Sequence, residues 1–255
     1  YVRGIKVYRM LFDQISIWYK LGSPDFSGLA FLSKIRSISK IYELFCLYKI
    51  YELFYRHGWK IINATRSEYL GADIPACVTF ENNGEKIEVY YEPIISGLNE
   101  NTKHLDLVDL YHKDNWTYNF YNPDYVIKHI YDDHVNYFIL DAKYSTYNTV
   151  KNTHLPKIYE KYYINLGVVD LEKKIISSDK IIAVSVLYPS YSQLFSNHKD
   201  NKNHISRDIL RLPLYSGITV QDDSDSSLET FLFDALEASK RTSILTTNKV
   251  STKQN

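Results

Sequence analysis

The stretch NPDYVIKHIYDDHVNYFILDAKY, residues 122–144, decides how the rest of the chain is read. Two runs rich in Tyr, Val, Ile and Phe flank the polar segment YDDHVN, the pattern of two strands joined by a tight turn. With the turn centred on Asp132 and Asp133, Asp124 falls opposite Asp141 on the neighbouring strand. Directly opposed residues of an antiparallel pair share one face of the sheet. Side chains alternate along a strand, so Lys143 shares the face of Asp141 while Ala142 points away. A slip of one residue would move every side chain to the other face, which makes the register the quantity to check.

Two carboxylates and an ammonium among apolar strands cost several kcal/mol, on the order of a buried ion pair, unless something compensates them. Carboxylates a few ångström apart repel unless a proton or a cation lies between them. Mg²⁺ is a natural occupant, since it binds oxygen, keeps several waters and takes one or two carboxylates. Such an ion acidifies a bound water and neutralises charge on a phosphoryl oxygen. A lysine two residues further on can orient the water or stabilise the developing charge. These parts suit hydrolysis of a phosphodiester. A D-x-K tripeptide alone equally describes an ion pair at the surface end of a strand.

A fourth group comes from a helix upstream. The hexapeptide KIYELF occurs at 40–45 and again at 49–54, offering Glu43 and Glu52 on opposite sides of one helix. Glu52 has Lys49 three residues before it and Arg56 four residues after, the dress of a solvated face. Glu43 shares its side with Leu47, Ile50 and Phe54, an inward stripe, and is the candidate of the two.

Bulk composition narrows the rest. The 255 residues are 45% hydrophobic, enough for one large domain or two small ones. Thirty basic residues balance 30 acidic ones, so a nucleic-acid role must rest on local patches. Cys46 and Cys77 form no CxxC and suit a reducing cytosol. No run approaches the roughly 20 apolar residues of a membrane helix, and no signal peptide is visible. The expectation is a cytoplasmic protein with no membrane partner. The opening Tyr1 and a lone methionine, Met10, suggest the C-terminal part of a longer protein.

Helical periodicity spans 1 to about 20 and about 26 to 57, interrupted by LGSPDFSG and ended at Gly58. Strand-like runs come next at CVTFEN, KIEVYYEPII, WTYNFYNPDYVIKHI and NYFILDAKY, then a helix near 154–168 and the buried-strand run KIIAVSVLYP. This order predicts an α/β fold with a central mixed β-sheet flanked by α-helices. The expected organisation is an N-terminal helical segment over 1–34, a core over 35–190 and an extension over 191–238 with a helix at 228–238. A disordered tail over 239–255 would come last.

Glu on a first helix, "PD" on one strand and "DAK" on the next resemble the PD-(D/E)XK nuclease superfamily. KIYELFCLYKI, NPDYVI, FILDAKY and VSVLYP are similar to the nuclease domain of McrC-type restriction subunits and related phage-defence proteins. The resemblance covers about 35–190. It implies a restriction-endonuclease-like core and a Mg²⁺-dependent DNA endonuclease, with Mn²⁺ able to substitute. Asp124, Asp141 and the backbone carbonyl of Ala142 would hold the metal, Lys143 would be the catalytic lysine, and Glu43 the helix acid at this or a second ion. Many relatives carry a glutamine and then a tyrosine in the helix after the lysine strand; here that helix offers Lys157, Glu160 and Lys161. No GxxxxGK[ST] occurs, so movement along DNA would need a separate AAA+ NTPase partner. The competing reading is a catalytically silent nuclease-like scaffold or DNA-binding subunit.

Other clusters are weaker. His104, Asp106, Asp109 and His112 suit neither one helix face nor one strand face. Lys151, His154 and Lys157 could meet phosphate or simply face solvent. The tyrosines of YEKYYINL read as core packing.

Overall fold

The computed structural model describes residues 37–66, 74–97, 105–110, 120–189, 212–221 and 226–251. The expected segment 1–34 lies outside these residues, as do His104 and His112.

Helix α1 (Ile38–Arg56) starts where the Ser37 hydroxyl accepts the Lys40 N–H at 3.2 Å. It stops at Gly58, whose φ of +80° is a conformation glycine adopts without strain. The Trp59 N–H returns to the Phe54 carbonyl and the Gly58 N–H to Tyr55, closing the last turn, while Trp59 packs edge-on against Phe54. Leu47, Ile50 and Phe54 are buried as the inward stripe requires. Lys49 departs from the expected solvated face. Its stem is buried, and its ammonium reaches Glu52 at 3.2 Å and the Phe45 ring at 5.8 Å.

Strands β1 (Lys60–Arg66), β2 (Pro75–Asn82) and β3 (Glu85–Tyr91) form a meander; the sequence pattern does not show β1. It is an edge strand, kinked between Ile61 and Asn63, and largely exposed. After the short β4 (Leu107–Asp109) come β5 (Tyr125–Tyr131) and β6 (His134–Ala142). Asp132 and Asp133 alone join β5 to β6, with φ of +47° and +62°. This is the two-residue turn whose twist suits a hairpin, and aspartate tolerates the left-handed region. Pairing runs from Tyr131↔His134 to Tyr125↔Leu140, the expected register.

The chain then winds as one helical run over 147–164, here α2, in which α-helical segments (Tyr147–Thr149, Leu155–Tyr159) alternate with π-helical ones (Val150–His154, Glu160–Ile164). It ends earlier than its apolar pattern suggests, because Leu166–Asp170 is β7, paired with β4 and with β8 (Ile175–Ser177) in a separate three-stranded sheet. Gly167 marks the change: a Cβ there would meet the Ile176 and Leu110 side chains that cross it. Strand β9 (Ile181–Tyr188) is buried at all eight positions, as a parallel strand covered on both faces should be.

The main sheet has the order β1-β2-β3-β5-β6-β9-β10, antiparallel up to β6 and parallel from there to β10 (Leu214–Thr219). The fold is therefore mixed α/β with a large central sheet flanked by helices. One face packs Phe80, Ile87, Tyr125 and Leu140 against α1 and the final helix α3 (Ser226–Ser251). The other packs Ile139, Val184 and Val186 against Val150, Ile158 and Tyr162 of α2.

The residues expected as an extension supply β10, so they complete the sheet rather than trail it. Helix α3 also passes through the expected end at 238 and into the expected tail. Ser239 and Lys240, the first two residues of that expected tail, are anchors. Asn136 donates to the Ser239 hydroxyl at 2.8 Å, the His129 Nδ1 lies 2.9 Å from that hydroxyl, and Lys240 meets Glu85 at 2.7 Å.

His129 is fully buried, and burial, aided by Lys240 and opposed by Glu85, lowers its pKa to about 4. The unfolded chain takes up a proton near pH 6.5 while the native one does not, so stability is complete above that pH and falls below it. Denaturant melts should show this group removing on the order of 2 kcal/mol between pH 7.5 and pH 5, with a His129→Gln variant showing a flatter profile. An equal slope in both proteins would place the titration elsewhere.

Candidate acidic site at the end of the central hairpin

The β5–β6 register carries Asp124 opposite Asp141, just beyond the last paired residues of the two strands, and both are buried. The Asp124 Oδ2 accepts the backbone N–H of Ala142 at 2.6 Å, which closes the end of the hairpin. Lys143 is held to β9 by its own N–H on the Leu187 carbonyl at 2.8 Å. Its Nζ lies 2.7 Å from Asp141 Oδ2, 3.1 Å from the Ala142 carbonyl oxygen and 3.6 Å from Asp124 Oδ2. The three oxygens that the resemblance would give to a metal thus converge on one positively charged atom.

Glu43 approaches from α1 through a route the sequence did not show. Its backbone carbonyl accepts the hydroxyl of buried Tyr125, which ties α1 to the start of β5. Its carboxylate lies within 4.8 Å, oxygen to oxygen, of those of Asp124 and Glu92. Glu92 comes directly after β3, and its N–H donates to the Asp124 carbonyl at 2.9 Å. Lys40 joins the two glutamates, 3.0 Å from Glu43 and 2.7 Å from Glu92, with its ammonium 4.8 Å from the centre of the Tyr91 ring. Neither Glu92 nor Lys40 stood out in the sequence. Glu92 sits in a strand-like run extended to Ile95, and only its φ of +46° reveals that the strand has ended.

The helix α2 adds a further group that the sequence pattern assigns to the core. Tyr162 is buried, and its hydroxyl lies 3.5 Å from Asp141 Oδ1 and 3.4 Å from the Asn122 carbonyl. Lys161 donates to that hydroxyl at 3.0 Å. Lys157 and Glu160, by contrast, are exposed, and Lys151 is exposed beyond Tyr147. His154 packs on the Ser145 hydroxyl at 3.1 Å, its pKa lowered by burial and then by Lys143. Asp106 and Asp109 belong to the β4 edge; Asp106 accepts the Tyr137 hydroxyl and meets Lys128.

The electrostatics are unbalanced. Asp124 has its pKa pushed up to about 8 by burial and by the like charge of Asp141, against the pull of Lys143 and the Ala142 N–H. Burial alone would lower Lys143, but Asp141 and Asp124 reverse that and hold it charged. Burial and then Asp141 raise Tyr162, which stays a neutral donor. Strongly shifted groups with specific partners mark functional candidates. Two carboxylates and a carbonyl make an oxygen-only donor set, the kind a hard divalent cation takes.

No family model, curated protein or solved structure matches the chain. The functional reading is therefore carried by the residues themselves. Among the described residues, no helix is long and apolar enough to cross a membrane.

The coupling at Asp124 has a direct readout in ¹³C carboxyl NMR. Asp141→Asn removes the like charge and should lower the Asp124 midpoint. Lys143→Met removes the compensating one and should raise it. A midpoint that stays put in both variants would remove the coupling.

Proposed function

We propose that this chain is a Mg²⁺-dependent DNA endonuclease domain with a restriction-endonuclease-like core, acting within a bacterial restriction or phage-defence system. The observation that supports the proposal is the convergence of Asp124, Asp141 and the Ala142 carbonyl on the Lys143 ammonium, which marks a point where a cation is held by oxygen alone. Asp124, Asp141 and that carbonyl would hold Mg²⁺, with Mn²⁺ able to replace it. The bound ion supplies an acidified water and neutralises charge on the phosphate.

The chain's own residues do the remaining work. Burial keeps bulk water from Asp124 and Asp141, and Tyr162 fixes the rotamer of Asp141 by contacting its outer oxygen. Lys143 is about one-third exposed, so its flexible stem lets the ammonium withdraw and face the phosphate. From there it orients the attacking water and offsets charge as the phosphodiester opens. Withdrawal leaves the two carboxylates without their internal cation, which favours the divalent ion. Glu43 and Glu92 add negative charge at the flank. DNA is the partner, and an AAA+ NTPase of the same system would supply movement, since this sequence has no phosphate-binding loop of that type. The cytoplasm is the compartment that suits such a partner.

One observation favours the silent-scaffold reading: Lys143 already neutralises part of the site, as it would in a purely structural ion pair. Supercoiled plasmid with Mg²⁺ or Mn²⁺ separates the two. The parent should nick or linearise it. Asp141→Asn should lose activity by about 100-fold or more, in the range of losses for a group stabilising charge in the transition state. Lys143→Met should lose cleavage to a similar degree yet bind Mn²⁺ at least as tightly, because a competing cation is gone. No cleavage by the parent, with or without a motor subunit, would sink the enzyme reading.

A further inference from the structure

We propose that Lys40 is a tethered cation that occupies the second positive position of the acidic site, so that the protein takes one divalent ion and not two. This rests on the metal reading above and deepens it by fixing the number of ions.

Asp124 lies between two neighbouring positive points. At the first, Lys143 meets Asp124, Asp141 and the Ala142 carbonyl. At the second, Lys40 meets Glu43 and Glu92, whose ligand oxygens lie within 4.8 Å of one another and of Asp124. Two cation positions sharing one carboxylate is the layout in which hydrolases hold a pair of metal ions, about 3.5–4 Å apart. The two lysines are not equivalent, however. Lys143 meets oxygens alone, at 2.7, 3.1 and 3.6 Å, from the end of its own strand. Lys40 is gripped at 2.7 and 3.0 Å by carboxylates from two different elements, and the Tyr91 ring closes a third side. An ammonium over an aromatic face gains attraction that its carboxylate contacts do not supply.

The partners are themselves fixed. Glu92 holds a left-handed backbone, uncommon for a residue with a side chain, and its N–H is pinned to Asp124. Glu43 is on a helix tied down by Tyr125. Charge balance agrees. By formal charge, four carboxylates against the ammoniums of Lys40 and Lys143 leave two negative charges, the amount one divalent ion neutralises.

The test counts ions. Mn²⁺ is titrated into the full chain, with bound ion measured by calorimetry and by loss of the free-ion EPR signal, and folding followed by thermal melt. The parent should bind one Mn²⁺ per chain and Lys40→Arg one. Lys40→Met should bind two, and adding Glu92→Gln to it should return the count to one. If Lys40→Met fails to fold, Lys40→Gln takes its place with the same expected count. Two ions in the parent, or one in a folded Lys40→Met, would overturn the role of Lys40 and leave the metal site standing. No Mn²⁺ bound by a folded parent would overturn both.

Discussion

The structure depends on the register of one hairpin. Strands normally reveal register through alternation, because a slip exposes the apolar set. Strand β6 gives no such signal, since its last seven residues are all buried and both faces are apolar. A slipped β6 would bury just as much oil. What selects the pairing is the Asp132-Asp133 turn, which leaves no spare residue between Tyr131 and His134. Polar residues pin it further along. His129 and Asn136 stand directly opposite each other and meet the same Ser239 of α3, a match that one residue of slip destroys.

The same hairpin therefore carries a polar cluster at each end, and the contrast between them separates structure from chemistry. Near the turn, His129, Asn136, Ser239, Glu85 and Lys240 satisfy one another, with a neutral imidazole and one paired glutamate. Satisfied networks of this kind fix a packing arrangement. At the open end, four carboxylates crowd two ammoniums, and Asp124 is driven to about 8. A fold that needed only stability could replace such a cluster with apolar groups at little loss. Its presence at the mouth of the sheet, within reach of a partly exposed lysine, is the physical case for a function there.

Much of this was legible because it derives from local rules. The Asp-Asp turn, the alternation that pairs Asp141 with Lys143, and the Glu43 stripe each need only a period and a turn type. Residues whose roles arise from tertiary contact were not legible. Lys40 and Glu92 look like ordinary surface charges until α1 and the end of β3 meet. Lys49 broke the rule that a lysine three residues from a glutamate lies on a wet face, because a long stem can be buried while its tip is paired. Ser239 and Lys240 were read as the start of a tail for the same reason: they are polar by composition yet have partners on β3, β5 and β6. A polar run signals disorder only when nothing in the fold can satisfy it.

The α2 run shows how the acidic cluster is met from the sheet face that Asp141 shares with Ile139. An α-helical reading of YEKYYINL offers an aromatic stripe and no reason for one ring to differ from another. A π-helical segment fits an extra residue into the turn and so rotates the side chains beyond it about the helix axis. The second such segment, Glu160–Ile164, contains both Tyr162 and Lys161; the first ends on His154, beside Ser145. Tyr159 instead packs at a tilt on Tyr163 and edge-on against Tyr215. Neighbouring tyrosines of like composition thus divide between packing and contact with Asp141, and the division is set by helix winding that composition does not encode. The mixed sheet fixes where the carboxylates stand, while the winding of α2 fixes which hydroxyl meets them.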